Sequence, residues 1–193
     1  MSSRLVVNSV RHTGASADGI TLDSSGNVTF PANATCSGTA TGFGKFTSYA
    51  VIADEKSDGT LGGTFTTGAY RTRDLNTEVF DPDGIVSISS NQFTLQAGTY
   101  FIHARMPYMM VGFAKMKLYN VTDSSDTAMS DSGYSSTGVS ANFYIDLKKR
   151  ITISSAKTFE IQMAGQVTRA SYGLGYSSSF GTEVYTTVEI YKE

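Results

Sequence analysis

The residues that could do chemistry in this chain are few, and none of them stands in a catalytic spacing. The sequence contains two histidines, His12 and His103, and a single cysteine, Cys36. Neither histidine stands at a metal-ligand spacing from the cysteine, and no G-x-S-x-G motif presents an activated serine. We therefore predict no catalytic residues, no metal and no cofactor, and we interpret His103 as a structural or interface histidine.

Two stretches imitate ligand-binding loops but lack essential residues. The segment GLGYSS at 173–178 begins as glycine-x-glycine, yet serines and a predicted strand follow where a dinucleotide fingerprint has a further glycine and a helix. In the acidic segment 54–59, Lys56 replaces a calcium ligand, and Phe65 stands where the bidentate glutamate belongs. The acidic loop 123–131 could gather around a cation, but nothing in it defines a ligand geometry. A solvated loop is the preferred interpretation there.

Glycan cleavage would need two carboxylates that face one substrate. Three glutamates lie on predicted strands, and nothing singles out a pair among them: Glu160, Glu183 and Glu189. Catalysis on a glycan is therefore the least favoured of the functions considered below, and we predict that the protein is not an enzyme.

Composition and charge narrow the class of protein further. The net charge of -2 provides no field to attract nucleic acid or an anionic membrane. No apolar stretch reaches membrane-spanning length, and the segment MSSRLVVNSVRHTG does not read as a signal peptide. A single cysteine forms no internal disulfide. We expect a protein made in the cytoplasm, with no nucleic-acid partner and no membrane insertion.

The elements that must position these residues are predicted to be strands throughout. Residues 1–45 hold three short strand candidates between polar turns, too short to build a core alone. Residues 46–193 hold about ten longer candidates separated by turn signals, and apolar spacing at i, i+3, i+4 is nowhere sustained. We predict an all-β protein: a β-sandwich or jelly roll over 46–193, preceded over 1–45 by a short β-rich segment and linker that neighbouring copies of the chain or a docking partner could order.

Alternation along two strands predicts a second, aromatic face. In GTYFIHARM at 98–106, one side carries the apolar residues Tyr100, Ile102, Ala104 and Met106, and the other carries Phe101, His103 and Arg105. In EVYTTVEIYK at 183–192, the same reasoning places Val184, Val188 and Ile190 inside. Aromatic rings with polar tips suit a subunit interface, although a solvated face with scattered tyrosines remains the alternative. The predicted interface residues are Phe101, His103, Tyr119, Tyr185 and Tyr191.

The segment ASYGLGYSSSFG at 170–181 lies in a connection longer than a hairpin needs. Glycines allow sharp turns, serines offer hydroxyl groups, and tyrosines supply flat apolar area with a polar tip. One interpretation is that the tyrosines fold back over the end of the sandwich. The other is a receptor-facing surface formed with the segments 106–112 and 131–140. Its predicted residues are Tyr108, Tyr134, Tyr172 and Tyr176.

Several blocks of the sequence resemble a known family. The blocks FTLQAGTYFIHARMPYMMVGFAKMKLYNVTDSS and EVYTTVEIYKE resemble the jelly-roll heads of bacteriophage fibre proteins, which look like the trimeric heads of the tumour-necrosis-factor and complement superfamily. The N-terminal block RLVVNSVRHTGASADGITLDSSGNVTF is similar to the opening of short structural proteins of tailed phages, notably those that infect cyanobacteria. The resemblance implies an antiparallel jelly-roll β-sandwich head over 46–193 with an N-terminal attachment segment over 1–45. It also implies a homotrimer, a virion location and a binding role, and it transfers no individual functional residue.

Three functions follow as hypotheses. The first is a trimeric fibre head that binds a glycan or protein of the host surface. The second is a capsid decoration or cement spike, docked on the shell through residues 1–45. The third is a glycan-cleaving enzyme on the same architecture. In the first two, residues 1–45 bind another virion protein.

Overall fold

A computed structural model describes residues 7–11, 13–14, 16–17, 19–25, 27–30 and 46–193. Chain contacts divide the protein into two compact units, Met1–Phe43 and Gly44–Glu193. All regular structure in the described residues is β-strand, which confirms the all-β class. The predictions for His12 and Cys36 lie outside the described residues.

The first unit contains a small antiparallel sheet of three strands. Strands β1 (Ser9–Val10), β2 (Ile20–Leu22) and β3 (Val28–Thr29) pair in the order β1-β2-β3. The turn between β2 and β3 is closed by Asp23, whose Oδ1 accepts hydrogen bonds from the amides of Ser25 and Asn27, both at 2.8 Å. Such short strands bury little. Among the described residues of this unit, five large apolar side chains are exposed: Val7, Val10, Leu22, Val28 and Phe30.

The second unit is an antiparallel jelly-roll β-sandwich, as the sequence predicts, and we call it the head. Its strands are β4 (Ser48–Lys56), β5 (Arg71–Thr72), β6 (Thr77–Phe80), β7 (Val86–Ser89), β8 (Gln92–Leu95), β9 (Gly98–Tyr108), β10 (Gly112–Asn120), β11 (Ser125–Ser135), β12 (Phe143–Ile153), β13 (Lys157–Gly165) and β14 (Glu183–Lys192). One sheet has five strands in the order β12-β9-β14-β4-β6. The other has six, in the order β11-β10-β13-β8-β7, with β5 pairing to β13.

The core lies between the two sheets and follows the period-two alternation of their strands. The predicted inward side of β9, from Tyr100 to Met106, is fully buried. It packs with the inward side chains of the six-stranded sheet, where the rings of Phe93 and Phe159 stack with centroids 5.7 Å apart. Each large side chain buried in this way stabilises the fold by roughly 1.5–3 kcal/mol relative to an exposed one.

A β-bulge near the start of β14 reverses the predicted alternation there. The register of β14 with β4 shifts between Val184 and Thr187. Because the bulge adds a residue, Val184 is 49% exposed, whereas Tyr185 is 5% exposed. The hydroxyl of Tyr185 donates a hydrogen bond of 2.6 Å to the carbonyl of Thr60. The prediction that Tyr185 lies on the outer aromatic face is therefore wrong.

The chain enters and leaves the head at the same end. The amide of Thr47 donates to the carbonyl of Lys192 at 2.7 Å, and Ser48 pairs with Lys192 in the sheet. The connections that follow β9, β11 and β13 lie at the opposite end, because these strands run toward it. There the amide of Met109 donates to the carbonyl of Gly173 at 3.2 Å.

Candidate functional site

The outward side of the five-stranded sheet carries a cluster of aromatic rings, which we call the aromatic face. It consists of Phe46, Tyr49, Phe80, Phe101 and Tyr191. Tyr191 stands at the centre, paired in register with Phe101 on β9 and with Tyr49 on β4. Its ring centroid lies 4.6 Å from that of Tyr49, 5.1 Å from that of Phe46 and 6.2 Å from that of Phe101. Phe46 and Phe80 are half-exposed, so the cluster covers itself only in part.

Polar groups beside the aromatic face already have partners. His103 Nε2 lies 2.9 Å from Asp146 Oδ1, and its Nδ1 lies 3.4 Å from Glu189 Oε2. The hydroxyl of Tyr191 donates to the same Glu189 oxygen at 3.0 Å. Burial, followed by this hydrogen bond, raises the pKa of Tyr191 to about 12. Because the polar tips are satisfied within one chain, a partner could cover the rings without leaving them unpaired.

The structure does not bring Tyr119 to this face. Tyr119 lies on β10, in the six-stranded sheet, so the predicted interface set is split between two sheets. Its ring centroid is 4.8 Å from Lys117 Nζ, which also lies 4.3 Å from the ring centroid of Tyr70. Alternation identifies an outward residue, but it does not identify the sheet to which the strand belongs. Of the predicted set, Phe101, His103 and Tyr191 share one surface.

The connection 166–182, which we call the tyrosine loop, is held in place by side chains that lie outside it. Asn142 bonds to both main-chain groups of Tyr176, with Nδ2 donating to its carbonyl at 3.0 Å and Oδ1 accepting from its amide at 2.8 Å. Gly175 has φ +132° and lies against Tyr185, whose ring would be 2.5 Å from any added Cβ, so only glycine fits. The rings of Tyr172 and Tyr176 pack with centroids 5.8 Å apart, and Tyr176 is half-exposed.

Two charged residues anchor the tyrosine loop. Glu183 accepts hydrogen bonds from the amides of Ser178 at 3.0 Å and Ser179 at 2.6 Å, and these bonds hold the pKa of its carboxyl below the ordinary value. The buried Arg73 donates through Nη2 to the carbonyl of Leu174 at 2.8 Å. Burial lowers the pKa of Arg73 to about 10, so the guanidinium is still charged at neutral pH. These hydrogen bonds fix the position of the tyrosine loop on the head.

Tyr108 is not part of an exposed loop, and this prediction is wrong. Strand β9 continues through Tyr108, whose side chain is buried and packs on Phe143 with ring centroids 6.0 Å apart. Gly133 makes room for it, because an added Cβ there would lie 2.3 Å from the Tyr108 hydroxyl. The first residues of the predicted receptor-facing segment 131–140 are instead part of β11. Tyr134 is exposed, as predicted for a contact residue, but it stands on a strand.

A second exposed aromatic cluster occupies the outward side of the six-stranded sheet. Phe113 on β10 and Tyr134 on β11 are paired directly opposite each other. Their ring centroids are 5.0 Å apart at an interplanar angle of 55°, and the side chains are 62% and 55% exposed. We call these two residues the aromatic pair. Phe113 is not among the predicted contact residues, although alternation in GFAKMKLYN places it on the outward side with Lys115.

The aspartates of the acidic loop do not converge on one point. Lys157 Nζ bonds to Asp123, and Lys117 Nζ lies 2.6 Å from Asp126. No group of three or more potential metal ligands occurs in the described residues. No helix in the described part of the chain has the length and hydropathy to cross a membrane. That the protein is not an enzyme stays a prediction.

Comparison with known proteins bears on the fold. No protein-family model matches the sequence. No curated protein matches it either. The structure is similar to murine APRIL at pH 5.0, with a TM-score of 0.52 and 9% sequence identity over 76% of this chain and 98% of that chain. It is also similar to the globular domain of zebrafish complement 1qA protein, with a TM-score of 0.47 and 10% identity over 74% and 94% of the two chains.

The likeness to APRIL supports the jelly-roll head fold predicted from the resemblance, and at this identity it shows the fold alone. The protein is thus an all-β chain whose larger unit is a jelly-roll head.

Proposed function

We propose that the protein is the head of a virion fibre, that it assembles as a homotrimer through the aromatic face, and that the trimer binds the surface of a host cell. The observation that carries the proposal is the aromatic face itself. Five rings meet on one side of the five-stranded sheet and remain partly exposed. Four of them stand on strands β4, β6, β9 and β14, and the fifth, Phe46, lies in the segment before β4. Contiguous apolar surface of this kind marks an interaction site.

The composition of this surface favours contact between protein subunits. Tyrosine and phenylalanine are enriched at interface cores, where their rings bury much area at little entropic cost. The nearby carboxylates of Asp146 and Glu189 are engaged by His103 and Tyr191, so association need not bury either carboxylate without a partner. A groove of about 540 Å³ beside Phe101 and Tyr191 could receive a side chain of a neighbouring subunit.

The attachment role of the first unit is proposed from its exposed apolar side chains and its short strands. A three-stranded sheet of two or three residues per strand buries too little surface to be stable alone. Val28 and Phe30 are among the side chains left exposed. Their partner is a virion protein in this proposal, and the virion location is supported by the sequence resemblance to tailed-phage structural proteins.

The assembly is tested by light scattering coupled to size-exclusion chromatography. The wild-type protein should have three times the 20.6 kDa mass of one chain. The double variant Phe101→Ser, Tyr191→Ser should be folded and monomeric, because interface anchors each contribute about 2 kcal/mol or more. Phe180→Ser is the matched control: this phenylalanine is 95% exposed and lies in the tyrosine loop, off the aromatic face. A monomeric wild-type protein at micromolar concentration would exclude the trimer.

Virion position is tested separately by electron microscopy of particles labelled with an antibody to the head. Label at the tail is the expected result. Label distributed over the shell would contradict the fibre-head proposal and indicate a capsid decoration protein with the same fold.

A further inference from the structure

We propose that the aromatic pair is a binding platform for an acidic saccharide, with Phe113 and Tyr134 stacking on sugar rings and Lys115 engaging a carboxylate of the ligand. This inference rests on the proposed host-binding function and names a ligand class and a surface for it. The pair lies on the outward side of the six-stranded sheet, whereas the proposed subunit contact lies on the outward side of the five-stranded sheet. Trimer assembly through the aromatic face therefore does not need the aromatic pair.

The pair stands on two hydrogen-bonded strands. Phe113 and Tyr134 face each other across the paired strands β10 and β11, and the next outward residues, Lys115 and Ser132, are also paired. Strand β10 is bonded on its other side to β13, so it lies inside the sheet. Rings fixed on such strands lose little freedom when a flat ligand face stacks on them.

The surroundings of the pair supply hydrogen-bonding groups without partners. A groove of about 390 Å³ next to Phe113 is lined by Lys115, Ser132 and Gln166, together with Ala114, Ala164 and Gly165. Within the described residues, the side chains of Lys115, Ser132 and Gln166 make no hydrogen bond or ion pair. An ammonium, a hydroxyl and an amide beside two aromatic rings match the alternating hydroxyl and C–H surfaces of a sugar.

The charge of the groove lining favours an acidic saccharide over a neutral one. The groove lining contains one cation, Lys115, and no carboxylate. By contrast, its neighbour on the same side of the strand, Lys117, is paired with Asp126. An unpaired ammonium at the edge of an aromatic platform favours a ligand that brings its own carboxylate, such as a hexuronate.

A saccharide fits the size of the surface better than a protein does. Two half-exposed rings offer roughly 200 Å² of apolar area, whereas a stable protein interface buries about 800 Å² per partner. The other residues that line the groove beside Phe113 are polar or small, so the apolar surface does not extend into the groove.

The experiment applies the full-length protein to immobilised hexuronate oligosaccharides, with neutral hexose oligosaccharides of the same length in parallel. Wild-type protein should bind a hexuronate more tightly than its neutral counterpart, and added salt should weaken that binding. Phe113→Ser and Tyr134→Ser should each weaken it about tenfold, and Lys115→Gln should reduce the preference for the acidic ligand roughly threefold. Phe180→Ser, which changes an exposed aromatic residue of the tyrosine loop, should bind like wild type.

Three results would overturn the proposal: no binding to any hexuronate, equal binding to the neutral counterparts, or unchanged binding by Phe113→Ser. Loss of assembly by Phe113→Ser would also overturn it, since the pair would then be a protein contact. The mass of every variant is measured in the same samples. A monomer that binds hexuronate through Phe113 would refute the trimer and leave this inference intact. A trimer that binds host cells but no hexuronate would refute this inference and leave the proposed function intact.

Discussion

Arg73 and Leu174 connect the buried interior of the head to the tyrosine loop: the guanidinium Nη2 donates a hydrogen bond of 2.8 Å to the main-chain carbonyl of Leu174. The Nε of Arg73 donates to Thr186 Oγ1 at 3.0 Å, so the same side chain also bonds to β14. The buried Asp54 adds a nearby negative charge, and Lys56 Nζ lies 2.8 Å from its carboxylate. A cation without solvent contact thus fixes the position of a surface loop.

Replacing Arg73 should destabilise the head and loosen the loop together. Arg73→Met keeps apolar bulk but leaves the Leu174 carbonyl and the Asp54 charge without this partner, and we expect the free energy of unfolding to fall by roughly 3 kcal/mol. Urea denaturation measures this change. Lys149→Met, at an exposed lysine, is the control and should change stability by about 0.5 kcal/mol or less. Equal stability of the two variants would contradict a structural role for Arg73.

Order in the tyrosine loop should depend on pH through Glu183. Its folded-state pKa is lowered, first by the amide of Ser178 and then by that of Ser179. The carboxylate therefore contributes stability above the ordinary glutamate value of about 4.3, and the contribution is lost as the pH falls through the lower folded-state pKa. Amide exchange of Ser178 and Ser179 measures it. Glu183→Gln should show weak protection already at pH 7, while Glu55→Gln should behave like wild type.

Tyr185 and Tyr191 should respond differently to substitution, although both were predicted at the interface. Tyr185→Phe removes the hydrogen bond to the Thr60 carbonyl and should cost about 1 kcal/mol of folding stability without changing the oligomeric mass. Tyr191→Ser should instead reduce the mass with little loss of stability in the monomer. Thermal unfolding and light scattering on the same samples separate the two effects. A fall in mass for Tyr185→Phe would contradict its placement in the core.

Burial, with a smaller contribution from Glu183, raises the pKa of Tyr185 to about 12. The stability that this neutral hydroxyl contributes is complete below the ordinary tyrosine pKa of about 10 and is lost as the pH rises through 12. Ultraviolet titration should therefore show that Tyr185→Phe removes an ionisation from the high-pH end of the curve. Removal of a step near pH 10 would contradict the burial of this hydroxyl.

Asn142 should control the exposed part of the tyrosine loop. Asn142→Ala removes both hydrogen bonds to the Tyr176 main chain, and we expect a loss of about 1 kcal/mol with faster amide exchange at Tyr176. Hydrogen exchange measured by NMR reports both. Thr137→Ala, in the same connection as Asn142, should leave exchange at Tyr176 unchanged. If both variants leave it unchanged, Asn142 does not hold the loop.

Local alternation was sufficient to predict the sandwich and part of its surface. The inward residues Tyr100, Ile102 and Met106 are buried, and Phe101 and Tyr191 stand on the outward side of one sheet. Both results depend only on the period of two along a regular strand. The confirmed fold class follows from the same pattern, repeated between turn signals.

Three features depend on information that the local pattern does not carry. The bulge before Thr187 is set by pairing with β4, and it turns Tyr185 inward. The separation of Tyr119 from Phe101 depends on sheet membership, and the aromatic pair depends on the register between β10 and β11. Arg73 stands in a polar segment, GAYRTRDL, in which no residue signals that its side chain is buried. Long-range strand pairing therefore decides which residues meet at each surface.

The hydrogen bond between the Thr47 amide and the Lys192 carbonyl has a consequence for modularity. Because the polypeptide begins and completes the head at adjacent points, the whole head can be transferred as a cassette into a surface loop of another protein with little strain on the host backbone. The same adjacency permits a circular permutant, in which a short linker joins these two points and new termini open in the connection between β11 and β12.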